Sequence, residues 1–69
     1  MWNITFSHNI WEIWNDNKTY IHGFFTLNEA EQYVIDQVKE GNITVRLAAH
    51  CLNCTMDDVM EKAFGEIVL

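Results

Sequence analysis

The architecture of the N-terminal half follows from residues 2–25, which read WNITFSHNIWEIWNDNKTYIHGFF. Apolar and polar side chains alternate in residues 2–7, the period-two pattern of a half-buried strand. Residues 10–15 form a second β-prone run, and residues 19–25 form a third that is rich in aromatic and β-branched side chains. The sequence therefore predicts a three-stranded antiparallel meander.

Two-residue loops set the predicted register of this meander. Residues 8–9 and residues 16–17 consist of types that tolerate left-handed backbone, so each pair can form a tight turn. Such turns place Trp11 opposite both Phe6 and His22. The predicted cross-strand pairs are Phe6 with Trp11, Ile4 with Ile13, Trp11 with His22, and Ile13 with Tyr20.

Because cross-strand partners share a face, the register divides the side chains between two faces. One face is almost wholly apolar and is predicted to be the core side; it carries Trp2, Ile4, Phe6, Trp11, Ile13, Tyr20, His22 and Phe24. The other face is mixed; it carries Thr5, Ser7, Ile10, Glu12, Trp14, Thr19, Ile21 and Phe25.

Residues 26–69 have the spacing of helices. Thr26 and Glu29 form a capping box, and the helix they begin is expected to end before Gly41. Its inward positions are Leu27, Ala30, Val34 and Val38. Residues 67–69 are predicted to add a short strand or to pack as a tail. With 69 residues, the chain is one α+β domain, a β-meander over residues 1–25 and a helical half over 26–69.

Two further helices are predicted. One opens at Asn42 or Thr44 and turns Val45, Ala48, Ala49 and Leu52 inward, unless residues 43–45 begin as a strand instead. The other is capped by Thr55 and closed by Gly65. Its apolar stripe has the spacing of an amphipathic helix and consists of Met56, Val59, Met60, Ala63 and Phe64.

The net charge of −6 restricts the classes of partner. Four scattered cations, Lys18, Lys39, Arg46 and Lys62, cannot form the basic stripe that a nucleic-acid binder needs. An anionic membrane is disfavoured for the same reason, whereas a basic protein surface is attracted. Because the chain shows neither a signal-peptide pattern nor an apolar run of membrane-spanning length, we expect it in the cytoplasm.

Residues 50–54, His-Cys-Leu-Asn-Cys, are the strongest candidate for metal chemistry. A domain with so small a core commonly needs a disulfide, a structural metal or a second subunit to be stable. Two cysteines three positions apart at a bend can bind one tetrahedral zinc ion. We predict a structural zinc site with four ligands, His22, His50, Cys51 and Cys54. Alternative ligands are His8, Asp57 and Asp58. The competing interpretation is that both cysteines are small buried apolar residues.

The mixed sheet face is the candidate partner-binding surface. Its apolar side chains surround Glu12, and exposed aromatic patches commonly mark interfaces. Acidic side chains on the outer side of the first helix extend it. The predicted partner-binding residues are Ile10, Glu12, Trp14, Ile21, Phe25, Glu29, Asp36 and Glu40. The alternative is a helix on each side of the sheet, which makes this face core as well.

Residues 45–64 resemble a helix-turn-helix motif, with Ala49 at the small position, Asn53 at the turn and Val59 at the inward position. The second helix, however, exposes acidic side chains that repel phosphates, namely Asp57, Asp58 and Glu61. The resemblance implies a regulatory or dimerisation module rather than direct DNA readout.

The chain contains no phosphate-binding glycine loop and no supported catalytic triad, so we do not expect an enzyme. In its short length, acidic charge and aromatic content it resembles the small anti-CRISPR proteins of phages and mobile elements. That resemblance implies a stoichiometric inhibitor, acting in the host cytoplasm, of a basic nucleic-acid-handling protein such as a Cas effector. A structural subunit of a larger assembly is the third possibility.

Overall fold

The computed structural model describes residues 2–15 and 17–65, and it confirms the predicted α+β fold of a three-stranded antiparallel sheet followed by helices. The predicted tail at residues 67–69 and Asp16 of the second turn lie outside the described residues. The elements are β1 (Asn3–Ser7), β2 (Ile10–Trp14), β3 (Tyr20–Phe24), α1 (Leu27–Lys39), α2 (Val45–Leu52) and α3 (Met56–Phe64).

The first hairpin is the one predicted. His8 and Asn9 have φ angles of 55° and 64°, the two left-handed residues of a tight turn whose twist matches the strands it joins. The register that follows pairs Ile4 with Ile13 and Phe6 with Trp11. Both pairs are confirmed.

The second hairpin has a longer loop than predicted. The Asn15 side chain accepts hydrogen bonds at 3.0 Å from the backbone N–H groups of Asn17 and Thr19, and Lys18 adopts a φ of 57°. The loop therefore spans residues 15–19 instead of closing in two residues, because a side-chain acceptor stabilises the wider turn.

This loop shifts the register of β3. Trp11 lies opposite Phe24, and Ile13 lies opposite His22. Each partner is two residues away from the predicted one. Because side chains alternate with a period of two, His22 and Phe24 keep their predicted face. An irregularity between Ile13 and Trp14 then places Tyr20 opposite Trp14. The assignment of Tyr20 to the core face was therefore wrong, because the extra residue of the bulge moves it to the other face.

Each helix is capped at its N-terminus by a threonine, namely Thr26, Thr44 or Thr55. The threonine side chain accepts a hydrogen bond from the backbone N–H three residues further along the chain. Helix α1 ends at Lys39 with Glu40 as its C-terminal cap, and the left-handed Gly41 follows. The alternative of a strand over residues 43–45 is wrong, since Thr44 caps α2. None of the helices in the described part of the chain is long and apolar enough to cross a membrane.

The helices pack on one face of the sheet. Ile13, Val34 and Val59 are fully buried, and Tyr33 of α1 places its ring against the rings of Trp2, His22 and Phe24, which lie on the predicted core side. The alternative of helices on both faces is not realised among the described helices.

Several side chains predicted to point inward are exposed: Phe6, His22, Leu27, Met56 and Phe64. Leu27 begins α1, and Met56 and Phe64 are the two ends of α3. The helices meet through small buried side chains, Ala30, Ala48, Ala49 and Ala63. Leu27, Met56 and Phe64, at the ends of their helices, lie outside this buried cluster.

Candidate functional site

The sheet face opposite the helices is centred on Glu12. On the neighbouring strands Glu12 lies opposite Thr5 and Gly23, and Ile10 and Trp14 stand two residues away from it on its own strand. We call this surface, made of Thr5, Ile10, Glu12, Trp14, Tyr20 and Gly23, the open face. Ile10 and Trp14 are half-buried, although no described helix covers them.

Tyr20 lies flat along this face because residue 23 is glycine. A Cβ atom at Gly23 would overlap the Tyr20 hydroxyl and would lie 2.7 Å from Cδ1 of Ile10. The Tyr20 ring also meets the Trp14 ring edge to face, with centroids 5.5 Å apart and an interplanar angle of 77°. Tyr20, Trp14 and Ile10 thus form an apolar cluster on the face that carries Glu12.

Glu12 is the buried charged residue of the described chain, with 8% of its surface exposed. Its Oε2 lies 3.8 Å from Nδ1 of His8, which is beyond hydrogen-bond distance. The His8 side chain is 84% exposed, and the same Nδ1 lies 3.0 Å from the Ser7 hydroxyl. Glu12 thus combines a largely covered side chain with a weak and solvated ionic partner, and its carboxylate still reaches water, since no side-chain oxygen of the described residues is both buried and unpaired.

The predicted partner-binding residues do not all gather here. The structure brings Ile10, Glu12 and Trp14 together, whereas Ile21 packs against the core and Phe25, 84% exposed, follows the end of β3.

The three predicted acids of α1 form a separate group. Glu29 and Glu40 are exposed and Asp36 is half-buried. Two of these carboxylates accept hydrogen bonds from nearby side chains. Glu29 accepts one from the Thr26 hydroxyl at 2.9 Å, and Asp36 accepts one from the Gln32 side-chain amide at 3.0 Å. Beside them a depression of about 270 Å³ is lined by Phe24, Glu29, Gln32, Tyr33 and Asp36.

Both cysteines are free thiols that pack half-buried against the core. Burial raises the pKa of the Cys51 thiol to about 11, because the thiolate would lose its hydration. Cys51 lies in the last turn of α2, and Cys54 follows Asn53, whose left-handed backbone (φ 55°, ψ 48°) ends the helix. This is the bend that the sequence predicted between two helices.

The two histidines of the predicted zinc site are exposed. His50 lies in the last turn of α2, and the His22 ring stacks on Phe24 at 4.3 Å with its Nδ1 2.9 Å from the Gly23 carbonyl oxygen. Within residues 2–15 and 17–65, no group of three or more His, Cys, Asp or Glu side chains is placed to hold a metal ion. Zinc stays a prediction, to be tested by elemental analysis of the wild-type, Cys51→Ser and Cys54→Ser proteins.

No protein-family model matches the chain. No curated protein and no solved structure matches it significantly either. The resemblance to anti-CRISPR proteins therefore stays a prediction.

Tyr20 is the member of the open face that the sequence-based register missed. A signal for it was present in Gly23, since a glycine inside a strand commonly marks the close approach of another group. In β3 that group is the ring of Tyr20 from the same strand. Of the apolar side chains expected around Glu12, the structure places Ile10 and Trp14 on its face, and the bulge adds Tyr20.

Proposed function

We propose that this chain is a protein-binding inhibitor that acts in the cytoplasm on a basic nucleic-acid-handling enzyme, with a Cas effector as the first target to test. The observation that carries the proposal is the open face, where Ile10, Trp14 and Tyr20 lie on the same side of the sheet as the buried residue Glu12, and no described helix covers that side. Tryptophan and tyrosine are the residues that most often dominate binding energy at protein interfaces.

The shape of the open face favours a protein over a small metabolite. A shallow depression of about 440 Å³ adjoins Trp14 and is lined by Asn3, Ile4, Thr5, Trp14, Asn15 and Lys18. Small-molecule sites are usually clefts that bury most of their ligand. A flat sheet with aromatic side chains and one central charge instead matches the apolar centre and polar rim of an interface.

The charge of the chain favours a basic partner. The formal charge is −6, and the α1 acids Glu29 and Glu40 are exposed. Negative charge of this size speeds the approach to a positively charged groove and disfavours nucleic acid itself. Grooves that hold nucleic-acid phosphates are the common positive surfaces of this kind.

The test is inhibition of target-DNA cleavage by a panel of guide-loaded CRISPR–Cas effectors, with the chain added at stoichiometric amounts. We expect the wild-type chain to inhibit at least one effector and Trp14→Ser to lose inhibition. Phe64→Ser is the matched control, because Phe64 is an exposed aromatic residue of α3, away from the open face. Absence of inhibition across the panel, or equal loss in both variants, would contradict the proposal.

A regulatory or dimerisation module is the second candidate function. It is favoured by the α2–α3 unit, where Asn53 turns the chain with left-handed backbone and Ala49 and Val59 are buried at the predicted positions. Against DNA readout, Asp57 and Asp58 are exposed in the first turn of α3. Gel filtration and a duplex-DNA shift assay separate the candidates: an inhibitor elutes without shifting DNA, and a dimer that shifts duplex DNA supports the second.

A further inference from the structure

The Glu12 side chain is mostly covered, but its carboxylate still reaches water, because no side-chain oxygen of the described residues is both buried and unpaired. Nine-tenths of the residue is shielded, and the ionic partner within 4 Å among the described residues is the His8 imidazole at 3.8 Å. That ring is turned to solvent and lies within hydrogen-bond distance of the Ser7 hydroxyl. A largely covered carboxylate whose ionic partner is weak is complementary to a positive group on a binding partner.

The surroundings of the carboxylate select the kind of positive group. Trp14 and Tyr20 meet at 77° on the same face of the sheet, and Tyr20 keeps 46% of its surface exposed to an approaching cation. A guanidinium is planar, weakly hydrated and able to donate two parallel hydrogen bonds to one carboxylate, and it stacks on aromatic rings. An ammonium is compact and strongly hydrated, and it loses more hydration on entering an apolar enclosure.

We propose that the open face receives one arginine side chain of the partner protein, with its guanidinium paired to Glu12 and stacked against Trp14 and Tyr20. This inference rests on the proposed function, namely that the open face binds a protein, and it names the residue type that the face recognises. Charge complementarity supports it at the scale of the site and of the whole chain, since a chain of net charge −6 attracts arginine-rich surfaces.

The positive charge of Lys18 disfavours the binding of an arginine at the open face, and this effect can be tested. Lys18 lines the depression beside Trp14, so its ammonium group repels a guanidinium that enters from that side. Removing this charge with Lys18→Ala should therefore strengthen arginine binding. A purely apolar contact with the rings would not respond to that change.

The probe is N-acetyl-arginine amide, titrated into the ¹⁵N-labelled chain while the indole N–H signals are followed by NMR. Trp14→Ser identifies the Trp14 signal among the three tryptophans. The neutral control is N-acetyl-citrulline amide, which has the same shape without the charge. We expect saturable shifts of the Trp14 signal with the arginine probe, at least tenfold weaker binding of the citrulline probe, and tighter arginine binding by Lys18→Ala.

Glu12→Gln is expected to reduce arginine binding at least tenfold, with Glu61→Gln as a control at an exposed carboxylate of α3 that leaves it unchanged. If the arginine and citrulline probes bind the wild-type chain equally well, the inference is wrong. This comparison needs no variant, so it can be made even if Glu12→Gln does not fold. Absence of a shift at about 100 mM probe also overturns it, because even a dissociation constant of tens of millimolar would be detected.

The inhibition assay separates this inference from the proposed function. If both hold, Glu12→Gln and Trp14→Ser each weaken inhibition at least tenfold, because removing one member of a buried charge pair leaves the other unpaired. If Trp14→Ser abolishes inhibition and Glu12→Gln does not change it, the open face binds protein without recognising arginine. If neither variant changes inhibition, both the face and the arginine assignment are wrong.

Discussion

At the scale of single residues, the thiol of Cys51 is shielded by the core it packs against. Burial raises the pKa of this thiol to about 11, from an ordinary value of 9.0. At pH 8 the thiolate fraction of Cys51 in the folded chain is therefore about a hundredfold below that of the unfolded chain, and the thiolate is the reactive form. The neutral thiol favours folding, so this contribution is complete below about pH 9 and is lost as pH rises through about 11.

We predict that iodoacetamide modifies Cys51 far more slowly in the folded, metal-free Cys54→Ser protein than in the same protein in urea. The rate in the folded protein should rise steeply between about pH 9 and pH 11. Mass spectrometry of modified protein against time measures it. Similar rates in folded and unfolded protein at pH 8 would show that the Cys51 thiol is not shielded.

The two hairpins show how much of the sheet can be predicted from local sequence. The first was predicted correctly because His8 and Asn9 themselves supply both left-handed residues of the turn. The second was misread because the Asn15 side chain, one residue before the predicted pair, stabilises a wider loop. The same error placed Tyr20 on the wrong face. Alternation within a strand is local, whereas the composition of the open face depends on how two strands align.

Asn15 is therefore the residue of the second loop whose removal should destabilise the sheet. Asn15→Ala deletes the acceptor of two backbone hydrogen bonds, and we expect it to lower the free energy of unfolding by about 1–2 kcal/mol. Asn15→Asp keeps the acceptor and should change stability much less. Urea unfolding followed by tryptophan fluorescence gives the values.

Asn17→Ala is the matched control within the same loop. Asn17 contributes its backbone N–H to the loop, and this group is retained in alanine. We expect the control to unfold within about 0.5 kcal/mol of wild type, as surface substitutions usually do. If Asn15→Ala and Asn17→Ala unfold alike, the Asn15 side chain does not stabilise the loop.

At the scale of the whole molecule, the helices cover one face of the sheet, and the other face is therefore the one available to a partner. Ile13 is buried in one cluster with residues of all three helices, and the opposite face of the sheet is left to Glu12 and to the aromatic side chains Trp14 and Tyr20. The sequence predicted the two faces but left open whether helices cover one or both. That choice depends on where α2 and α3 pack after α1, which local patterns do not contain.

The acids of α1 and the open face should affect different steps of binding to an inhibited effector. The triple variant Glu29→Gln, Asp36→Asn, Glu40→Gln removes three of ten carboxylates and changes the formal charge from −6 to −3. Because these charges act at long range, we expect slower association, a smaller salt dependence and an unchanged dissociation rate.

Trp14→Ser should instead speed dissociation, because it removes short-range contacts. Biolayer interferometry at about 50 mM and about 300 mM salt measures both rates. An association rate of the wild-type chain that is equal at the two salt concentrations would show that its negative charge serves solubility and not recognition.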